Sequence, residues 1–230
     1  MSYSAAAAAI GAVVLTCFLL QDEPCEHNFQ ALNMANKASS SCDTTGVVAI
    51  ACTCHGCFAP SSLVDMQKGE RQRNVDWAFC EAIKTTNMAE IRNLLLIYDI
   101  MCQYYKNFAS RVERNPLLDF SADLRLEKGI GLFHVHGHQD ECLFCLATSF
   151  IKGTGNQDGE VLESLWSPLN RISPSLRTAT LAHRTEVLDD HLNGSNWKKL
   201  VAIGVYFASL KLIISEILQW IAFALSIAGL

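Results

Sequence analysis

The apolar residues of this chain fall into short continuous runs that alternate with amphipathic stretches. The segment Gly46–Cys52 is rich in Val, Ala and Ile, and a run of Leu and Ile at positions 94–97 leads to Asp99. Short apolar runs of this kind are typical of strands that are buried on both faces. The pattern therefore predicts two buried strands, the second of which delivers Asp99 at its end.

Between and after these strands the pattern favours helices. Residues 75–88 and 101–112 are predicted to be helical, and the second helix ends before Asn115-Pro116 because proline lacks the amide donor that a helix interior needs. Residues 132–136 are predicted to form another short strand. Strands separated by helices indicate an α/β sheet.

A further helix is predicted to begin at Glu160. Glu163 lies one turn later on the same side. Asp158, just upstream, is a candidate cap for this helix. The apolar stripe of the helix consists of Leu162, Leu165, Trp166 and Leu169.

The two ends of the chain are more apolar than the middle. Residues 5–20 form an apolar run, but no basic residue precedes Lys37, which weakens a signal-peptide interpretation; a buried or partly exposed helix fits about equally well. Residues 205–230 are long enough to cross a membrane. Because Lys211 and Glu216 interrupt this run on one side of a helix, an amphipathic helix packed on the core or on a partner is favoured over a membrane span.

Composition and charge restrict the possible functions. With 230 residues, of which 50% are hydrophobic, the chain can bury a full core and fits one domain better than two. Its net charge of -5 argues against a protein that coats nucleic acid through its overall field. Any DNA contact must be local. The candidate cations, which could also belong to a solvated face, are Lys68, Arg71, Arg73, Lys198 and Lys199.

Eight short motifs follow one another along the chain. They are Phe29-Gln-Ala-Leu-Asn33, Thr45-Gly-Val-Val-Ala49, Asp65-Met-Gln-Lys-Gly-Glu-Arg71, Tyr98-Asp-Ile-Met-Cys-Gln103, His134-Val-His-Gly-His138, Asp158-Gly-Glu160, Trp166-Ser-Pro-Leu-Asn170 and Leu188-Asp-Asp-His191. Each is weak alone, but the ordered set resembles the Kyakuja-Dileera-Zisupton (KDZ) transposases, which are DNA transposases with a ribonuclease H-like core.

This resemblance covers residues 25–204 and implies a fold and a domain organisation. The fold is α/β: a ribonuclease H-like mixed sheet with flanking helices, incomplete at the N-terminus. The expected parts are an apolar leader outside the family match at 1–24, the transposase-like core at 25–204 and an apolar C-terminal helix at 205–230. The resemblance also implies DNA as partner, Mg²⁺ or Mn²⁺ as cofactor and the nucleus as location.

Carboxylates are the candidate catalytic groups. Asp99 at the end of a buried strand is costly unless it is solvated or bound to a cation, although it could also cap the helix near Met101. By resemblance, Asp99 and Glu160 are the expected Mg²⁺ ligands, with Glu163 as second choice or partner, since two-metal phosphodiester chemistry needs such acids. The family's first acid lies on its first core strand in a Leu-Asp-x-x-Phe motif, and the leader contains no acid before Asp22.

Cysteine and histidine form a second group of candidate ligands. Ten cysteines are present, several beside histidines, which favours metal binding or plain burial over a disulfide scaffold. The resemblance implies a Cys-x-x-His pair and a His-x3-His-x3-Cys motif, and zinc takes four such ligands. Alternatively these residues pack as ordinary polar and small side chains. The possible zinc ligands are Cys52, His55, His134, His138 and Cys142, with Cys25 as a further candidate.

Two functions remain open from the sequence. The first is a transposase-derived protein whose ancestral activity is metal-dependent DNA cleavage and strand transfer. The second is a non-catalytic remnant that binds DNA or protein, with membrane or partner association through residues 205–230. Because the first acid is missing, the chain is predicted not to be a competent transposase by itself.

Overall fold

Six strands form a single mixed sheet. The computed structural model describes residues 10–16, 43–67, 69–86, 91–120 and 123–228. The strands are β1 (Ile10–Thr16), β2 (Gly46–Cys52), β3 (Cys57–Phe58), β4 (Val64–Met66), β5 (Asn93–Tyr98) and β6 (Arg125–Gly129). Their order is β3-β2-β1-β5-β6, with β4 paired to β2. β1 runs antiparallel to β2 and parallel to β5, and β6 runs parallel to β5.

The central position of β1 corrects an expectation from the sequence. Residues 1–24 were expected to be a leader outside the core, and the first core strand was expected to be missing. Instead Ile10–Thr16 pairs along its length with β5, from Ile10 opposite Asn93 to Leu15 opposite Tyr98. A strand within the leader therefore joins the antiparallel and parallel halves of the sheet.

Helices follow most of the strands. They are α1 (Gln72–Thr85), α2 (Met101–Tyr104), α3 (Phe108–Arg114), α4 (Leu132–Val135), α5 (Asp140–Leu146), α6 (Val161–Leu176) and α7 (Leu181–Ala228). The predicted helix at 101–112 is thus present as α2 and α3, joined by a 3-10 turn at Tyr105–Asn107. The predicted strand Gly46–Cys52 is β2, and the predicted strand before Asp99 is β5.

The sheet is covered on both faces. Side chains alternate between the faces of a strand, and Leu94 and Leu96 of β5 share one core with Val75 and Phe79 of α1. The opposite face meets α6, where Phe58 of β3 packs against Trp166 with ring centroids 5.9 Å apart. The stripe predicted for α6, Leu162, Leu165, Trp166 and Leu169, is buried as expected.

One predicted element is wrong. Residues 132–136 were expected to form a strand, but Leu132–Val135 is one turn of helix, α4, and the strand of this region is the preceding segment Arg125–Gly129, β6. β6 lies at the end of the strand order and is mostly half-exposed, so its Arg-Leu-Glu-Lys-Gly sequence lacks the apolar run that marks a buried strand.

The chain divides into two compact units, Met1–Thr178 and Ala179–Leu230. The second unit is built on α7, a continuous helix of 48 residues, and the helix predicted for 205–230 is its C-terminal part as far as residue 228. Among the helices of the described residues, none combines the length and the apolar character needed to cross a bilayer.

Candidate metal centre

Three carboxylates and one imidazole meet at the carboxyl end of β5. Asp99 directly follows this strand, and Glu160 and Glu163 lie at the start of α6. His134 of α4 is in contact with all three: its Nε2 lies 3.4 Å from Glu160 Oε2, 3.5 Å from Glu163 Oε1 and 3.8 Å from Asp99 Oδ1. Residues that lie as many as 64 positions apart in the sequence, from Asp99 to Glu163, thus form one polar cluster.

Backbone contacts between two loops fix the position of Glu160. The Leu132 amide donates to the Asp158 carbonyl oxygen at 2.8 Å, and the Phe133 amide donates to Glu160 Oε1 at 3.0 Å. The loops approach so closely that a Cβ added at Gly131 would lie 2.4 Å from Glu160 Oε1. Gly159 has a φ of +83°, a conformation that L side chains rarely adopt. The backbone therefore requires glycine at position 159, and a side chain at position 131 would displace the Glu160 carboxylate.

Several carboxylate oxygens of the cluster are buried without a hydrogen bond. Within the described residues these are Asp99 Oδ1, Glu160 Oε2 and Glu163 Oε2. A buried carboxylate oxygen costs free energy unless a donor or a cation compensates it. One ligand atom from each of His134, Glu160 and Glu163 lies within 4.8 Å of the other two, and Asp99 Oδ1 lies 3.8 Å from His134 Nε2. Carboxylate oxygens are the ligands that hard divalent cations take in proteins, so the residues present fit such a cation.

Burial and the neighbouring charges raise the pKa values of two groups in this cluster, Asp99 and His134. Burial raises the pKa of Asp99 to about 8; the charge of His134 opposes this shift, and the charges of Glu70, Glu163 and Glu160 add to it. Contacts with Glu160 and Glu163 raise the pKa of His134 to about 10. At neutral pH His134 is therefore an imidazolium that compensates the neighbouring carboxylates, and an incoming cation competes with it.

The structure brings together the three acids that the sequence singled out. Asp99 does not cap the following helix, since Ile100 holds that position and makes no side-chain cap bond. Asp158 accepts a hydrogen bond from the Glu160 amide at 3.0 Å, so it supports the turn before α6, whose N-cap position is occupied by Glu160 itself.

The five expected zinc ligands do not form one group. Cys52 and His55 lie on the β2–β3 hairpin, with Cys52 Sγ 3.2 Å from His55 Nδ1. His134 belongs to the carboxylate cluster. His138 and Cys142 instead lie near Cys102, and one ligand atom from each of these three residues is within 4.8 Å of the others. Cys25 lies outside the described residues.

Two residues near these groups were not singled out from the sequence. Glu70 is buried, accepts a hydrogen bond from the Tyr98 hydroxyl and acts electrostatically on Asp99. Cys102 is the thiol that contacts His138, with Sγ 3.5 Å from Nδ1. Both lie inside motifs already noted, Asp65–Arg71 and Tyr98–Gln103, which is the one signal that could have drawn attention to them.

Comparison with known proteins identifies the family. Neither a search of curated proteins nor a search of solved structures gave a match. A family model for Kyakuja-Dileera-Zisupton transposases matches residues 4–196, which include β1 as well as the carboxylate cluster. Since this match covers well over half of the 230 residues, the chain belongs to the Kyakuja-Dileera-Zisupton transposase family.

Proposed function

We propose that this chain is a transposase-derived protein with a ribonuclease H-like core, whose ancestral reaction was metal-dependent DNA cleavage and strand transfer and which no longer performs it. Membership of the family supports the transposase origin. The sheet supports the core assignment, because the antiparallel strands β3, β2 and β1 continue into the parallel strands β5 and β6, as a ribonuclease H-like sheet requires. DNA as partner and the nucleus as location follow from the same origin.

The observation that carries the metal proposal is the set of buried carboxylate oxygens that lie around the His134 imidazole at the end of β5. Asp99 and Glu160 are the proposed ligands of Mg²⁺ or Mn²⁺, with Glu163 as a third. A bound divalent ion would activate water or a 3'-hydroxyl and stabilise the leaving oxygen in phosphodiester cleavage. The chain holds these acids on rigid elements, and His134 neutralises part of their charge.

The absence of an acid from β1 favours the loss of activity. The sequence of this strand is Ile-Gly-Ala-Val-Val-Leu-Thr, and the family's first acid belongs on the first core strand. A cluster that lacks one carboxylate holds a divalent ion more weakly and provides less compensation for the charge that develops during cleavage. A non-catalytic protein that binds DNA or another protein is therefore the second candidate function.

Calorimetric titration of the full chain with Mn²⁺ tests the metal proposal. We expect Asp99→Ala and Glu160→Ala each to lower the affinity at least about tenfold, because even the loss of an outer partner of a metal ligand costs about 10–100-fold. Glu127→Gln is the matched control, since this carboxylate lies on β6 in a surface pair with Arg125. If the parent protein takes up no Mn²⁺, or if both alanine variants bind like Glu127→Gln, the proposed site is wrong.

The same titration is expected to depend on pH. A cation needs Asp99 ionised, and the pKa of Asp99 is raised to about 8, so at lower pH each binding event must displace a proton. We therefore expect the Mn²⁺ affinity to rise by up to about tenfold per pH unit from pH 6 and to level off as the pH approaches 8. Loss of the His134 proton on binding would make the rise steeper. An affinity that stays constant over this range would exclude Asp99 as a ligand.

The alternative binding function has its own measurement. Arg73 and Lys198 are exposed, whereas Lys68 lies outside the described residues. Fluorescence anisotropy with a labelled DNA duplex at increasing salt reports on such contacts, because each phosphate neutralised adds to the salt dependence. Binding that weakens in Arg73→Ala and persists in Asp99→Ala, in a protein that takes up no Mn²⁺, would favour a DNA-binding remnant over a nuclease.

A further inference from the structure

A second group of metal-ligand side chains lies apart from the carboxylates. Cys102 is on α2, His138 follows α4 and Cys142 is on α5. Each is half-buried, and one ligand atom from each lies within 4.8 Å of the other two. Cys102 and His138 are separated by 36 residues, so the fold and not the local sequence brings them together.

The distances in this group suit a particular ion. Zinc binds thiolate sulfur at about 2.3 Å and imidazole nitrogen at about 2.0–2.1 Å in a tetrahedron, which places sulfur and nitrogen roughly 3.6 Å apart. The observed distance from Cys102 Sγ to His138 Nδ1 is 3.5 Å. Two thiolates and one imidazole favour zinc over Mg²⁺ or Mn²⁺, which take oxygen ligands.

Besides its contact with Cys102, the imidazole of His138 makes a second contact of the kind that metal-bound histidines make. Its ring also hydrogen-bonds to the backbone of Asp99. Ligating histidines almost always hold a carboxylate or a backbone carbonyl with the rest of the ring, which fixes the ring orientation. The contact links this group directly to the residue that follows β5.

We propose that Cys102, His138 and Cys142 bind one zinc ion through three protein ligands, which leaves the fourth position to water. The ion fastens α2, which begins two residues after Asp99, to the α4–α5 segment, which carries His134. Zinc therefore acts as a positioning element for the carboxylate cluster. The proposal does not depend on whether that cluster binds Mg²⁺ or Mn²⁺, since the two sets of ligands share no residue.

Cys145 provides a matched control within the same helix. It lies three residues after Cys142 in a Cys-x-x-Cys sequence, but it is exposed and does not belong to the group of three ligands among the described residues. Cys145→Ser thus removes a neighbouring thiol from α5 without removing a proposed ligand. Cys52→Ser removes the thiol of the β2–β3 hairpin in the same way.

The test is the metal content of the full chain after reconstitution with zinc and desalting. We expect one zinc per chain in the parent, in Cys145→Ser and in Cys52→Ser, and at least a tenfold loss of zinc affinity in Cys102→Ser and Cys142→Ser. Circular dichroism of each variant separates loss of the ion from loss of the fold. Zinc that is absent from the folded parent, or retained in Cys102→Ser and Cys142→Ser, would overturn the proposal.

A spectroscopic measurement on the parent protein avoids dependence on the variants. Co²⁺ in place of zinc gives sulfur-to-metal charge-transfer absorption whose intensity follows the number of bound thiolates. Two thiolates in a tetrahedral Co²⁺ spectrum are expected, with no change in Cys145→Ser. A spectrum without thiolate absorption would show that these cysteines are ordinary packed side chains.

Discussion

Replacing Arg111 by Ala is expected to lower the free energy of unfolding by about 3–5 kcal/mol, because it leaves a buried carboxylate without its counterion. Asp76 of α1 is 1% exposed, and Arg111 of α3 holds it with both ends of the guanidinium, Nε to Oδ2 at 2.6 Å and Nη2 to Oδ1 at 2.9 Å. The same guanidinium donates to Gln72 Oε1 and to the Tyr104 carbonyl oxygen. Urea denaturation of the full chain measures the change.

Arg125→Ala is the control for this substitution. Arg125 pairs with Glu127 at 2.9 Å, but its side chain is 75% exposed, so the loss should stay below about 1 kcal/mol. Arg111→Lys keeps the charge and loses the bidentate geometry, and we expect an intermediate effect. If Arg111→Ala unfolds at the same urea concentration as Arg125→Ala, the pair does not hold α1 and α3 together.

The buried part of the fold was readable from the sequence. Gly46–Cys52 and the run before Asp99 are strands buried between two layers, so nearly every side chain in them is apolar. The stripe of α6 was equally clear, because one face of the helix packs on the sheet. Because buried elements consist mainly of apolar residues, their composition indicates their position in the fold, and these elements could therefore be predicted.

The first and last strands could not be read in the same way. β1 lies in an apolar run near the chain start, and such a run has the same composition whether it is a leader, a helix or a central strand. Only pairing with β2 and β5, which begin dozens of residues later, distinguishes these possibilities. β6 could not be predicted for the opposite reason, because a half-exposed strand of charged residues has the composition of a loop.

The acids of the candidate site were singled out from the sequence, whereas its imidazole was assigned to a different site. Asp99 stood out at the end of a buried strand and Glu160 at the start of an amphipathic helix, and the resemblance to the family's motifs made both of them expected ligands. His134 was assigned to zinc with His138 four residues later, but the two rings take part in different clusters. The separation arises from the close approach of Gly131 to the loop before α6, a tertiary contact that residue spacing does not encode.

Replacing Thr16 by Asp is expected to strengthen Mn²⁺ binding by about 10–100-fold, the range that single partners of metal ligands typically contribute. β1 runs parallel to β5, with Leu15 opposite Tyr98, so position 16 is the next step of the register, level with Asp99. An introduced aspartate would therefore supply the acid that the family has on its first core strand.

Leu15→Asp is the matched variant, because it places the carboxylate one residue away from the register position level with Asp99. Calorimetry with Mn²⁺, circular dichroism and nicking of supercoiled plasmid are measured on both variants. Stronger binding in Leu15→Asp alone would mean that β1 pairs with β5 in a different register. Stronger binding together with plasmid nicking in Thr16→Asp alone would mean that the remaining acids still have an arrangement that supports cleavage. The missing first acid would then account for the proposed loss of activity.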